Sequence, residues 1–436
     1  MNDAYAELEA RGFLYQVTDE VRVRELLSEG PQTFYVGFDP TAVTLHVGSL
    51  VPILAMRILQ RWGHRPIGLV GGGTAMVGDP SGKTETRRLM TPEEIEANAR
   101  GLEAQLSRFL TLDGVHGLMR NNADWLTKLQ YIPFLRDIGR HFSVNRMLSA
   151  ESYRIRLETG LSFLEFNYML LQAYDFLVLN EEEGCVLQVG GQDQWGNIVA
   201  GTDLIRRVRQ AEACGLTLPL LTNASGEKFG KSVAGAIWLD AEHTKPFDYY
   251  QFWRNTEDED VARFLKLFTD LPPVEGERLG ALQPPLLNRA KEILAYEVTK
   301  LTHGAAVAAM AFAAASGEYG EADPGRIVET SSDIVALKAA TAVVSWPEVI
   351  LPAAEAATPI SLIDLFVRAG LCESKGEARR LMRQGGARIG DDAIRDETAT
   401  VVPAELGSGI LLRAGKKRVV QLLIESPLRS SPRSVR

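Results

Sequence analysis

Cysteine is scarce in this chain. Its 436 residues include three, Cys185, Cys214 and Cys372. An odd number at such wide spacing speaks against a disulfide framework and against a zinc site. Long apolar runs are also missing: no stretch of about 18 apolar residues occurs, so no membrane span is expected. The start, Met1-Asn2-Asp3-Ala4, has no basic stretch followed by an apolar one, and no export signal is read there. The expected compartment is therefore the cytoplasm. Neither common nucleotide loop is present. A phosphate loop needs Gly, four residues, then Gly-Lys-Ser/Thr. Gly82-Lys83-Thr84 fails that test because Val77 stands where the first glycine is required, and Gly230-Lys231-Ser232 fails because Ser225 does. The glycine-rich runs Gly71–Gly78 and Gly190–Gly196 do not fit the dinucleotide fingerprint, and no internal repeat of fixed period is found.

The chain has an ordinary soluble composition, 45% hydrophobic and 24% charged. Its length suggests about three domains. A net charge of −9 would not suggest a nucleic-acid binder, but the distribution does. From Ser361 onward fourteen Arg and Lys face nine Asp and Glu, a net of +5 that leaves the first 360 residues at −14. A basic appendage on an acidic body is the implied arrangement.

The first 230 residues alternate strand and helix. Strands are predicted at Phe34–Phe38, Ile67–Val70, Gly117–Arg120, Cys185–Val189 and Leu218–Leu221, with a helix of apolar spacing over Leu50–Trp62 that stops at Gly63. Such alternation predicts an α/β fold with a Rossmann-like parallel sheet and a ligand at the carboxyl ends of its strands. After Ser232 the pattern turns helical over Phe247–Leu267 and Pro285–Ala315. Residues 321–358 read as linker, and a small basic domain follows from 359. There Ser374-Lys375-Gly376-Glu377 has the capping-box pattern and opens a short helix. Ala378, Leu381 and Met382 form its apolar face, with Arg379, Arg380 and Arg383 elsewhere, available to phosphates.

Two separated segments carry the phosphate chemistry. His46-Val47-Gly48 begins the helix that follows the first of the predicted strands, where backbone N–H groups and the helix dipole favour anions. The imidazole can donate to a phosphate oxygen, and Gly48 lets a flat base approach. Gly226-Glu227-Lys228-Phe229-Gly230-Lys231-Ser232 follows the last predicted strand and places two lysines on a glycine-bearing loop. Both segments then meet at one pocket edge. Between them, Glu165, Tyr168, Gln172 and Asp175 recur at helical spacing on an otherwise apolar segment. This polar stripe is expected to wall a pocket for a small polar ligand.

These runs, with Tyr35-Val36-Gly37-Phe38-Asp39-Pro40-Thr41-Ala42 and Gly190-Gly191-Gln192-Asp193-Gln194-Trp195-Gly196-Asn197, resemble in order and spacing the bacterial tyrosyl-tRNA synthetases, members of the class I aminoacyl-tRNA synthetases. The resemblance covers essentially the whole chain. It implies a catalytic domain over 1–232, an α-helical domain over 233–320, the linker 321–358, and a small α+β domain over 359–436 similar to the S4 RNA-binding module. It implies activation of L-tyrosine by ATP and its transfer to tRNA(Tyr), with magnesium carried by the nucleotide rather than by a dedicated protein site, and a homodimer. It also implies that Tyr35 and Asp175 bind the phenolic hydroxyl, that Asp79, Tyr168 and Gln172 hold the α-ammonium, and that Gln188 and Gln194 support the pocket. Asp39, Gly191 and Asp193 would contact adenosine, beside Gly37, Gly48 and Ser49. Thr41, His46, Lys83, Arg87, Lys228 and Lys231 would stabilise the departing pyrophosphate. Ser49 stands where the family motif usually has His or Asn. Val36 and Pro52 stand where some relatives carry Cys and Thr, so neither offers a polar contact near the ribose.

Overall fold

The structure is a computed structural model and describes residues 3–81, 90–222, 229–232, 235–337, 348–390, 392–403, 410–415 and 418–424. The chain forms two compact units, 1–341 and 342–436.

The first unit is built on β1 (Gln16–Val17), β2 (Thr33–Phe38), β3 (Arg65–Val70), β4 (Leu118–Asn121), β5 (Cys185–Gly191) and β6 (Cys214–Leu218), in the order β1-β6-β5-β2-β3-β4. All neighbours run parallel except the short edge strand β1, which is antiparallel to β6. β2 (Thr-Phe-Tyr-Val-Gly-Phe) combines aromatic and β-branched residues suited to a pleated, covered strand, and Phe34, Tyr35, Val36 and Phe38 are buried. From β2 the chain builds outward to β3 and β4, then returns to add β5 and β6 on the other side. The order therefore reverses between β2 and β5, where an open parallel sheet leaves a crevice at its carboxyl ends. Tyr35 of β2 and Gln188 of β5 are register partners at that reversal.

Two expectations shift. The last parallel strand is Cys214–Leu218 rather than Leu218–Leu221, because Pro219 cannot donate to a ladder. The polar stripe is split: Phe163–Phe166 is a short helix of its own, and the helix Tyr168–Glu183 begins after Asn167.

The helix Leu50–Arg61 buries Leu50, Ile53, Leu54, Met56, Ile58 and Leu59. Their core is continuous with that of the later helices, Pro246–Arg254, Val261–Phe268, Pro273–Gly280, Leu287–His303 and Ala305–Tyr319, through Tyr249, Trp253, Phe264, Phe268 and Ile293. Between the sheet and these helices, β7 (Lys231–Ser232) pairs with β8 (Gly235–Ala236). The expected continuous helix over 285–315 breaks at Gly304. Residues 321–337 lie on the same helices: the Ala322 N–H donates to Glu292 (3.1 Å), and Val328 and Ile334 are buried.

The second unit contains β9 (Glu348–Leu351), β10 (Ile360–Ser361), β11 (Ala387–Ile389), β12 (Asp392–Ile394), β13 (Thr400–Val401), β14 (Ile410–Ala414) and β15 (Arg418–Ile424). Five of them form a sheet in the order β12-β11-β14-β15-β9. Its core includes Leu365, Phe366, Ala378, Met382, Leu412 and Leu422. Ser374 caps the helix Lys375–Arg383 by accepting the Glu377 N–H at 3.2 Å. Glu377 does not complete the box; its carboxylate accepts the Glu373 N–H instead (2.8 Å). Arg379 and Arg380 are exposed, whereas Arg383 is tied to Glu397.

Candidate active site

A cleft of about 600 Å³ opens at the reversal point of the sheet. Its deep end is organised around Asp175, which is 2% exposed. One carboxylate oxygen accepts the Trp125 indole N–H at 2.7 Å and the other accepts the Asn122 amide at 2.9 Å. Burial pushes the Asp175 carboxyl up to about 8, with the Asp39 charge adding to the rise and the two donors opposing it. The Tyr35 hydroxyl, from β2, is buried and has no hydrogen-bond partner among the described residues. Burial first, and the Asp175 charge second, raise its pKa well above the usual phenol value.

A polar chain runs outward from Asp175. Asn122 also donates to Thr74 Oγ1 (3.0 Å) and accepts the Gly73 N–H (2.7 Å). Thr74 Oγ1 donates to Asp39 (2.8 Å), whose second oxygen accepts from the Tyr168 hydroxyl at 3.0 Å. Asp39 is thereby fixed from two sides. Across the cleft Asp79 accepts the Ser81 N–H and the Gln194 amide, both at 2.8 Å. Its carboxyl is pushed up to about 6 by burial and then by the Asp39 charge. Asn197 donates to the side-chain oxygens of both Gln172 (3.1 Å) and Gln194 (3.0 Å), so one amide orients two wall residues. Gln188 is buried, and its Oε1 has no partner among the described residues.

At the mouth, the loop before His46 is held by the helix Pro92–Leu106. Asn98 donates to the Pro40 carbonyl (3.0 Å), and Gln105 accepts the Leu45 N–H (2.7 Å). His46 Nδ1 accepts the Gly48 N–H at 3.0 Å. In the neutral ring the proton then sits on Nε2, which becomes the donor. A Cβ on Gly48 would lie 2.7 Å from the His46 ring. The glycine is thus required by the imidazole itself, in addition to any room it leaves for a base.

Fifteen of the expected site residues line this one cleft: Tyr35, Gly37, Asp39, Thr41, His46, Gly48, Ser49, Asp79, Tyr168, Gln172, Asp175, Gln188, Gly191, Asp193 and Gln194. Val36 and Pro52 line it as well. Lys83, Arg87 and Lys228 lie outside the described residues, and for Lys231 the backbone alone is described, in β7. Glu165 is the departure. It is buried against Arg156 (2.9 Å) and closes a capping box with Ser162, and it does not line the cleft. Asn122, Trp125, Thr74 and Asn197 were not anticipated. Asn122 carried a readable signal, since it follows the end of β4 at the side of the sheet where ligands bind.

The described lining offers four carboxylates, Asp39, Asp79, Asp175 and Asp193, and no Lys or Arg. Such a wall suits a cationic group on a ligand and leaves any phosphate to the cationic loops. Among the described residues no trio of His, Cys, Asp or Glu forms a metal-binding group, and no helix is long and apolar enough to cross a membrane.

The profile of the tRNA synthetases class I (W and Y) matches residues 27–319. The chain belongs to that family. Among the similar synthetases, the tyrosine–tRNA ligase of Desulfosudis oleivorans is 54% identical over 423 residues, 96% of this chain and 98% of the relative. The tyrosine–tRNA ligase of Clostridium botulinum strain Loch Maree is 45% identical over 426 residues, 98% of this chain and all of the relative. The C-terminally truncated mitochondrial tyrosyl-tRNA synthetase of Aspergillus nidulans superposes with a TM-score of 0.64 at 31% identity, covering 72% of this chain and 93% of that one. In this class I synthetase the matched segment spans β2 to β6, the cleft and the helices up to Tyr319.

Proposed function

We propose that this chain is a tyrosine–tRNA ligase that forms tyrosyl-adenylate and pyrophosphate from L-tyrosine and ATP, then passes the tyrosyl group to the 3′-terminal adenosine of tRNA(Tyr). The observation that carries the reading is the deep end of the cleft. A Tyr35 hydroxyl with no partner among the described residues and an Asp175 carboxylate braced by Asn122 and Trp125 together offer what a phenol needs. An indole has no oxygen to satisfy both, and a phenyl ring would leave both groups without a ligand partner.

The bound tyrosine would place its ammonium among Asp79, Tyr168 and Gln172, with Gln188 and Gln194 behind. Adenosine would lie toward Asp39, Gly191 and Asp193, where Gly37, Gly48 and Ser49 leave the backbone open. The tyrosine carboxylate attacks the α-phosphorus in line, and pyrophosphate leaves. No strong base is required; the protein holds two anions together and stabilises charge growing on the leaving group. Thr41, the Nε2–H of His46, Lys83, Arg87, Lys228 and Lys231 are the groups assigned to that charge. ATP is taken as its magnesium complex, in which the ion neutralises phosphate charge.

The second unit is read as an S4-like module that grips tRNA phosphates, with Arg379 and Arg380 supplying exposed charge. The segment 131–164 leaves Tyr131, Ile132, Val144, Leu157 and Phe163 exposed, and we assign this apolar surface to a homodimer. The working compartment is the cytoplasm.

The deciding experiment is exchange of labelled pyrophosphate into ATP with each amino acid in turn. Tyrosine should support exchange, and tryptophan and phenylalanine should not. Exchange driven by tryptophan, or by no amino acid, overturns the assignment.

A further inference from the structure

The segment Lys-Phe-Gly-Lys reads in sequence as a solvent-facing loop, yet its phenylalanine is a core residue. Phe229 is 8% exposed. Its ring sits in a nest of four aromatic rings, with centroids 4.8 Å from Phe264 and 5.5 Å from each of Phe252, Trp253 and Phe268. Its N–H donates to the Leu221 carbonyl at 3.0 Å. The helices that supply the nest come from the part of the chain after β8, so the loop is fastened to elements outside the sheet.

The next residue fastens the same point to the His46-Val47-Gly48 segment. Gly230 has φ +86°, and a Cβ there would lie 2.7 Å from Val47 Cγ2 and 3.5 Å from the Gly48 nitrogen. Ile237 completes the junction. Its N–H donates to the Gly230 carbonyl (3.1 Å), and its carbonyl accepts the Val47 N–H (2.9 Å). The Leu239 N–H donates to the Leu45 carbonyl (2.8 Å), and His46 bridges Trp238. Backbone at 45–48, 229–230 and 237–239 is therefore one hydrogen-bonded junction, and β7, which carries Lys231, leaves directly from it.

We propose that Phe229 and Gly230 are positioning residues: seated in the aromatic nest and against Val47, they set where Lys231 stands relative to His46. Neither touches the reacting atoms. The inference rests on the ligase reading, in which Lys231 acts on the leaving phosphates. Displacing a charge by an ångström or so is enough to cost a large part of its effect in the transition state.

The test uses the full chain and single-turnover formation of tyrosyl-adenylate at saturating tyrosine and ATP. Equilibrium tyrosine binding and thermal midpoints are measured in parallel on wild type, Gly230→Ala, Phe229→Leu, Val47→Ala and the Gly230→Ala/Val47→Ala pair. Gly230→Ala and Phe229→Leu should lower the rate by ~10- to ~100-fold while tyrosine affinity stays within about 2-fold of wild type. Because Val47→Ala removes the atom that a Cβ at 230 would strike, the pair should be faster than the product of the two single losses. A merely structural role would lower the midpoint and leave the rate per folded molecule unchanged. That result, or losses that simply multiply, overturns the proposal. If Gly230→Ala does not accumulate as folded protein, Phe229→Leu, which keeps an apolar side chain in the nest, decides by the same rate and affinity comparison. A wild-type protein that makes no tyrosyl-adenylate would instead refute the ligase reading.

Discussion

Replacing Tyr35 by Phe should make the free protein more stable and the enzyme less selective. Tyr35 is 1% exposed, and its buried hydroxyl has no partner among the described residues. A buried hydroxyl without a partner costs about 1–3 kcal/mol, and a neutral hydrogen bond contributes about 0.5–1.5 kcal/mol net. Tyr35→Phe removes the first cost in the free protein and the second gain in the tyrosine complex. The tyrosine-over-phenylalanine ratio of kcat/KM should fall by about 2- to 12-fold, which is the range of that net gain. The ring contact with Phe176, at 5.3 Å between centroids, is kept, so packing does not obscure the result. Pyrophosphate exchange with each amino acid measures the ratio, and the urea midpoint at unchanged m-value measures the stability. An unchanged ratio would remove Tyr35 from the reading of the substrate hydroxyl. A lower midpoint would mean that the hydroxyl is satisfied in the free protein.

Lys231→Ala should slow adenylate formation by at least ~100-fold, about 2.7 kcal/mol, with tyrosine affinity nearly intact; a proportional loss of affinity would contradict a role confined to the transition state. Arg156→Ala should destabilise the protein by about 3–5 kcal/mol, because it leaves the buried Glu165 charge without its partner. Glu165→Gln should leave tyrosine activation per folded molecule unchanged, and a selective rise in the KM for tyrosine would return Glu165 to the site. The carboxyls of Asp175 and Asp79 are pushed up to about 8 and about 6 from an ordinary 3.8. Between those values the folded chain holds protons that the unfolded chain has released. Their contribution to stability is complete below about pH 4 and is lost as pH rises through about 6 and about 8. Urea midpoints should decline over that window, and Asp175→Asn should flatten the decline; an equal slope in both proteins would refute the assignment to Asp175.

The central sheet was legible because most of its strands are short apolar runs ended by Gly, Pro or Asp, as Phe34–Phe38 before Asp39-Pro40 illustrates. β1 was not, since two residues paired at an edge leave no period to read. Tyr168, Gln172 and Asp175 could be named from their spacing, and Tyr35 and Asp79 from the family resemblance. Their arrangement could not, because it depends on amides and hydroxyls with no pattern of their own. Thr74, Asn122 and Asn197 are ordinary polar residues until the fold brings them to Asp39, Asp175 and the pair Gln172 and Gln194. Glu165 was misplaced by trusting helical spacing across Asn167. Ser162, three residues earlier, was the competing signal, since Ser-x-x-Glu marks a helix start. Phe229 was hidden by its neighbours, two lysines and a glycine that all read as surface.

β9 runs parallel to β15, with Val349 opposite Leu422 and Leu351 opposite Ile424, so a strand lying before Pro359 completes a sheet whose other members all follow it. A fragment of the basic unit begun at Pro359 would bare the outer rim of β15 over Gln421–Ile424, a largely apolar edge with unsatisfied N–H and C=O groups. Two such fragments can satisfy one another rim to rim. The shorter piece should therefore associate with itself and precipitate, whereas one begun near residue 342 carries its own cover and should stay monodisperse.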